Sequence, residues 1–322
     1  MSKRFKQHLQ WLARLFLIDY ITLHKYRISE EWVLFADSSH MGDVYNYSSL
    51  LQTLLRENRI ESVSMVVPRK YSFIPKMFSN IGTIIEVNAD DSVPKGHAHI
   101  IYNDRKQRIP KLLLRNLIST LKVLTLLTFL PSRLRLDGGR IGSSTVSFFF
   151  RSVLPIPKAT LKFSSPDIQC TEVNTDADSL FSDLGLRQGR TLIIAPESNS
   201  SSDLSEELIN LIISKARFKN FKILFNEVME RGRNDSVSMR IPLHLLNRIL
   251  EKAGYFISVR SGICDLVSPS KAKKMIIYEA NHLEFLQIDR ENKFNEPITQ
   301  LIMQKFLNSD QLNDILNKFL DE

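Results

Sequence analysis

The sequence predicts an α/β fold of two doubly wound domains facing a cleft. Three observations carry that reading. Short apolar, β-prone runs alternate with amphipathic helical stretches along most of the chain, which is the signature of parallel sheets with helical crossovers. The alternation pauses and then restarts past Ser165. The length of 322 residues favours two domains over one. Charge divides the same way. The first 165 residues carry 24 Lys and Arg against 12 Asp and Glu, and the remainder carries 19 against 23. We therefore expect domains over 1–165 and 166–322, with different partners.

In the first half, Ser2–Arg27 places Phe5, Leu9, Leu12, Phe16 and Tyr20 at helical spacing among Lys3, Arg4, Lys6 and Arg14. This is a basic amphipathic helix, which can pack on its own domain or lie on a membrane surface. Glu31–Asp37 reads as the first strand. It feeds a helix over Val44–Glu57 with Leu50, Leu51, Leu54 and Leu55 as its apolar stripe. His40, Gly42 and Asp43 thus fall where strand passes to helix, at the sheet edge where open α/β folds bind ligands. A carboxylate there can cap the helix, or accept a proton from a substrate. Strands over Val63–Val67, Thr83–Val87 and Ala98–Tyr102, with a helix over Ser72–Asn80, suggest a parallel sheet. Lys111–Leu130 is the most apolar stretch, but Arg115, Asn116 and Lys122 interrupt it, so no membrane crossing is expected.

In the second half, a helix over Asp176–Leu184 precedes a strand over Thr191–Ala195. A Ser-rich loop follows, in which Ser202 or Asp203 can cap the next helix, with Leu208, Leu211 and Ile212 turned inward. Further elements are a strand over Lys222–Asn226, an amphipathic helix over Pro242–Lys252, and helix from Ile298 to Leu320. Between these lies the stretch AGYFISVRSGICDLVSPSKAKKMIIY, Ala253–Tyr278. It reads as strand, turn, helix, strand. Backbone N–H groups after the Arg260-Ser261-Gly262 turn favour an anion, and Arg260 adds a fork-shaped cation. The reading is a diphosphate site, set against an ordinary strand–helix turn.

Cys170 and Cys264 are the two cysteines, far apart and in no metal pattern, which suits a reducing cytosol. No signal peptide is expected. The positive charge comes without a helix-turn-helix, zinc finger or aromatic RNA-binding signature, so nucleic acid is not the expected partner.

The segments IIAPESNSSSDLSEELINLI and IPLHLLNRILEKAGYFISVRSGICDLVSPSKAKKMIIY resemble the bacterial GT-B-fold glycosyltransferases related to the lipopolysaccharide heptosyltransferases. The first-half HMGDVYNYSSLL resembles the motif in which those enzymes place a Gly-Asp pair after the first strand. The resemblance implies two Rossmann-like domains. It also implies transfer of a sugar from a nucleotide-sugar donor to a glycan or lipid-linked acceptor in lipopolysaccharide, O-antigen or capsule synthesis. On it, Arg260, Ser261, Gly262 and Asp265 hold the donor diphosphate, with Ser198 and Asn199 on the facing loop. Asp43 is the base, with His40 next in line, and the anomeric centre inverts. With no Asp-x-Asp pair in a convincing metal context, the chain is expected to work without metal or other cofactor. Glu279 stands where the family has proline, and the family's lysine after the first strand of the second domain is missing. The resemblance therefore implies the class and leaves the donor open. A lipid-linked acceptor would bring the basic half to an anionic membrane surface, at the cytoplasmic face of the inner membrane. A nucleotide-sugar-binding protein without catalysis is the reading from another class.

Overall fold

Thr191–Ala195 is buried at all five positions, as only a strand covered on both faces can be. It sits at the middle of the second of two sheets in the computed structural model. The structure describes residues 32–36, 41–58, 62–79, 81–88, 99–102, 166, 171–198, 203–227, 236–279, 298–303 and 309–321. The chain forms two compact units, Met1–Asp167 and Ile168–Glu322. The expected N-terminal helix, the Lys111–Leu130 stretch and the loop over Leu136–Thr145 lie outside the described residues.

In unit 1, β1 (Trp32–Phe35) is followed by helix α1 (Met41–Asn58), β2 (Val63–Pro68), β3 (Ile81–Val87) and β4 (His99–Tyr102). The sheet runs β3-β2-β1-β4. β1, β2 and β3 are parallel. β4 is antiparallel to β1, with Phe35 opposite His99. That corrects the expected parallel sheet. Strand direction follows from where the connection crosses, which residue periodicity does not encode, and an antiparallel edge strand on a parallel sheet is common. α1 turns Val44, Tyr45, Tyr47, Ser48 and Leu51 inward. Leu50, Leu54 and Leu55 have side chains outside the description.

The helix expected over Ser72–Asn80 is not formed. Two 3₁₀ turns, Arg69–Tyr71 and Pro75–Met77, take its place. Pro75 explains the break. Inside an α-helix its ring would press on the carbonyl of Tyr71 and it could donate no hydrogen bond. The Tyr71 carbonyl instead accepts from Ile74 N at 3.0 Å. Lys76 and Arg69 lie 3.7 and 3.6 Å from the Glu86 carboxylate. These exposed pairs hold the turns near β3 but add little stability.

Unit 2 begins with α2 (Thr171–Asp183) and continues through β5 (Thr191–Ala195), α3 (Glu206–Phe218), β6 (Lys222–Phe225), β7 (Val237–Ser238), α4 (Leu246–Ala253), β8 (Gly254–Val259), α5 (Gly262–Val267), β9 (Lys273–Glu279), β10 (Ile298–Met303) and α6 (Ser309–Asp321). Its six strands lie in the order β10-β9-β8-β5-β6-β7, and every neighbouring pair is parallel. Numbered within the unit and read from the β7 edge, that is third-second-first-fourth-fifth-sixth, the order of a dinucleotide-binding fold.

Alternation sorts the core. Leu192, Ile194, Ile257, Val259, Met275 and Ile277 face α3 and α6, meeting Leu208, Ile212, Leu316 and Phe319. The intervening buried residues Ile193, Phe256 and Ile276 point to the opposite face, where α4 packs on β5 and β8. Tyr255 stacks edge-on against Phe221 and Phe319, at 4.8 and 5.8 Å between ring centres. Helix was expected from Ile298 to Leu320, but Ile298–Met303 is a strand. ITQLIM is half β-branched, and it extends the β9 ladder in register, Ile298 beside Lys274 through Met303 beside Glu279. Among the described residues, α6 is the helix that closes this end. The helix expected from Pro242 starts at Leu246, after a turn in which Leu245 N bonds Pro242 O.

α4 ends on Gly254, whose φ of +93° is left-handed and whose N–H returns to Leu250 O. A Cβ at Gly254 would stand 3.1 Å from Gly189 Cα, so glycine is required twice over. α3 is capped by Ser205, whose Oγ accepts from Leu208 N at 3.2 Å. Neither Ser202 nor Asp203 takes that place. The cap position is the last residue before helical dihedrals begin, and Ser205 occupies it with extended backbone.

Candidate donor site at the sheet switch point

In an open parallel sheet, crossovers on either side of the point where strand order reverses lead to opposite faces. The loops part there and leave a crevice at the carboxyl ends of the strands. In unit 2 that point lies between β5 and β8, paired from Thr191↔Gly254 to Ala195↔Ser258. The loops that leave it start at Pro196 and at Arg260. They carry the candidates Ser198, Arg260, Ser261 and Gly262, with Asp265 one helical turn on.

Hydrogen bonds join the two loops. Leu204 N donates to Pro196 O at 2.9 Å, closing the first. Ser198 N donates to Asp203 Oδ1 at 2.9 Å. Ser198 Oγ donates to Arg260 O at 3.4 Å, across the switch point. Asn199 lies outside the described residues.

Arg260 N still bonds Ile277 O at 2.9 Å, so the residue is tied to β9 as the strand ends. Ser261 then takes an extended conformation before the helix, with no side-chain cap bond. Gly262 is the first helical residue. α5 spans only six residues and sums few peptide dipoles, so the dipole invoked from the sequence is small. The charge at the turn is organised differently. Arg260 Nη1 and Nη2 donate to Asp265 Oδ2 and Oδ1 at 2.9 and 3.1 Å, a two-pronged pair. Nη1 also donates to Ser261 O. The side chains are only 11% and 5% exposed. Burial opposes the arginine charge, yet Asp265, together with Cys264 and Tyr278, more than offsets it and raises the guanidinium above its ordinary value. Burial pushes the neighbouring Cys264 thiol up as well. With its Sγ against Val259 O at 3.4 Å, it is an inert core thiol.

Asp43 is the third residue of α1 in unit 1, because the helix begins at Met41, three residues before the expected Val44. Its side chain, and His40 entirely, lie outside the described residues.

Two further residues were missed in the sequence. Glu227 follows β6 at the same carboxyl edge, is 4% exposed, and accepts from Ser238 Oγ at 3.0 Å. Its signal was an acidic residue just past the apolar run KILF. Lys274 in β9 is fully buried, and its ammonium donates to the carbonyls of Ser270 and Ala272. It closes the loop between α5 and β9. Among the described residues, no three His, Cys, Asp or Glu side chains gather as a metal site, and no helix is long and apolar enough to cross a membrane.

No protein-family model and no curated protein sequence matches the chain. Solved structures do. A glycosyl transferase family 9 protein from Veillonella parvula superposes with a TM-score of 0.57 at 12% identity, over 89% of this chain and 91% of that one. The E. coli ADP-heptose lipopolysaccharide heptosyltransferase II gives 0.56 at 10% identity, over 89% and 98%. E. coli heptosyltransferase WaaC, solved with ADP, gives 0.55 at 13% identity, over 90% and 98%. The similarity spans both units and defines the class of fold: two Rossmann-like α/β units of the GT-B type.

Proposed function

We propose that this protein is a glycosyltransferase. It moves a sugar from a nucleotide-sugar donor to a glycan or lipid-linked acceptor in the synthesis of bacterial lipopolysaccharide, O-antigen or capsule. The observation that carries the reading is the strand order of unit 2. It brings Ser198 and Arg260 together at the one edge position where such sheets receive a nucleotide. Two of the similar folds belong to heptosyltransferases, one of them solved with ADP.

In the proposed reaction the donor diphosphate lies at the β8–α5 turn. Arg260 and the backbone N–H groups of Ser261 and Gly262 meet its charge as the bond to the anomeric carbon breaks. Ser198 and Asn199 approach from the β5 loop. Glu227 sits past the second strand of the unit, where dinucleotide folds place the carboxylate that holds ribose hydroxyls. Asp43 takes the proton of the acceptor hydroxyl as its oxygen bonds to the anomeric carbon, with inversion, and His40 is the alternative base. Developing charge is met by arginine and backbone, and the proposal uses no metal. The basic first half would approach an anionic membrane surface peripherally, from the cytoplasm.

A thermal-shift screen against nucleoside diphosphates and nucleotide sugars tests the reading. A ligand that binds only the folded state raises the melting midpoint. We expect a shift with one nucleoside diphosphate and its sugar conjugates. No shift with any of them at millimolar concentration would remove the donor site from unit 2.

A further inference from the structure

We infer that Asp265 is a positioning residue, acting on a bound diphosphate through Arg260 rather than touching it. The inference rests on the donor-site reading above and deepens it. Both carboxylate oxygens of Asp265 are engaged by the guanidinium, at 2.9 and 3.1 Å. A carboxylate turned instead toward a diphosphate would oppose it charge against charge. Its effect on an anion must therefore pass through the cation it holds. Arg260 is held by Asp265, by Ser261 O, through its own carbonyl by Ser198 Oγ, and through its N–H by Ile277 O. Ser198 is in turn held by Asp203. Asp203 and Ser198 thus hold the Arg260 backbone across the switch point, while Asp265 and Ser261 O fix its guanidinium plane. A preset donor loses less freedom on binding than a mobile one. The fork geometry is also why arginine, not lysine, stands here.

The two possible roles of Asp265 predict opposite signs. Were it only a nearby negative charge, Asp265→Asn would tighten diphosphate binding. As a positioning residue, its loss frees the guanidinium, and binding weakens. Titration calorimetry with UDP, ADP, GDP and CDP on the full chain separates these cases. We expect Asp265→Asn to weaken the best diphosphate by about tenfold or more, the usual consequence of spoiling one charged hydrogen-bonding group. Arg260→Lys should lose about as much despite keeping its charge. The double variant should lose little beyond either single change, because both act on one element. Asp265→Glu keeps the pair but shifts it by one methylene, and should fall between wild type and Asp265→Asn. Should Asp265→Asn fail to fold, Asp265→Glu and Arg260→Lys carry the test. Unchanged or tighter binding in the folded variants overturns the inference. If wild type itself binds none of the four diphosphates, the donor-site reading falls and takes the inference with it.

Discussion

Two strand-to-helix turns, one in each unit, use charge in different ways. After β1 the chain enters α1, a helix of 18 residues, and Asp43 stands in its first turn. A long helix offers its N-terminus a lasting partial positive charge, which favours an ionised carboxylate. After β8 it enters α5, a helix of six residues. Little dipole accumulates there, and Asp265 instead holds Arg260 in a mostly buried, two-pronged pair. The difference teaches that the same local pattern can leave a carboxylate on the first turn of a long helix or hold an arginine rigidly beside a short one. Helix length and the residue one turn on decide which.

The largest expected effect breaks the first turn. Asp43→Asn keeps the shape but removes the proton acceptor. Turnover should fall by roughly 10²–10⁴ with little change in donor affinity. If turnover survives, Asp43 only meets the helix N-terminus and the two turns are more alike than argued. A binding protein without catalysis would show no loss at all.

Next comes the second turn. Arg260→Ala leaves the Asp265 carboxylate buried without its partner, and should cost about 3–5 kcal/mol of unfolding free energy. Replacing both residues together by Met and Leu should recover most of that in urea melts, while abolishing diphosphate binding. Equal destabilisation by the single and double changes would show that the pair is not the anchor.

The strand beneath that turn is tested by Gly254→Ala. The new Cβ must sit at a positive φ and 3.1 Å from Gly189 Cα, so we expect a loss above about 1 kcal/mol, read from the urea midpoint. Ser205→Ala removes the cap of α3 and should cost about 1 kcal/mol, with diphosphate affinity untouched. An affinity change would mean that the β5 loop, like the β8 turn, is tuned by its helix.

The smallest effect lies away from both turns. The Asp178 carboxylate is held below its ordinary value of 3.8, chiefly by a hydrogen bond from Lys252 and with help from Arg248. A lowered folded value means the contribution is present above the unfolded value and fades as pH falls through the folded one. Lys252→Met should therefore flatten the fall in urea midpoint slightly between about pH 5 and pH 2. No difference from wild type would mark the pair as fully screened.

Unit 2 was legible because burial on both faces leaves uninterrupted apolar strands. TLIIA was read to the residue, and Ala253–Tyr278 in its order of strand, turn, helix and strand. Unit 1 was harder to read. Pro75 split an apparent helix into two turns, and β4 gave no local sign of its direction. ITQLIM was misread because a short apolar run suits strand or helix until a neighbour is known. At the site, residue types at the turn could be read, but their partners could not. Arg260 and Asp265 are five apart, and only the tight turn at Ser261 and Gly262 brings their side chains face to face. Glu227 stayed hidden because its meaning comes from the position of β6 in the sheet, which no local pattern records.

Lys274 has one consequence for the bench. Acylating reagents attack amines that water can reach, and this one is shut away while Ser270 and Ala272 hold it in the core. Surface lysines would be modified at once, whereas Lys274 must wait for β9 and its preceding loop to open. Its modification rate, followed by peptide mass, is thus a native clock for opening of the sheet beside the donor turn. A bound nucleotide should slow that clock without any mutation having been made.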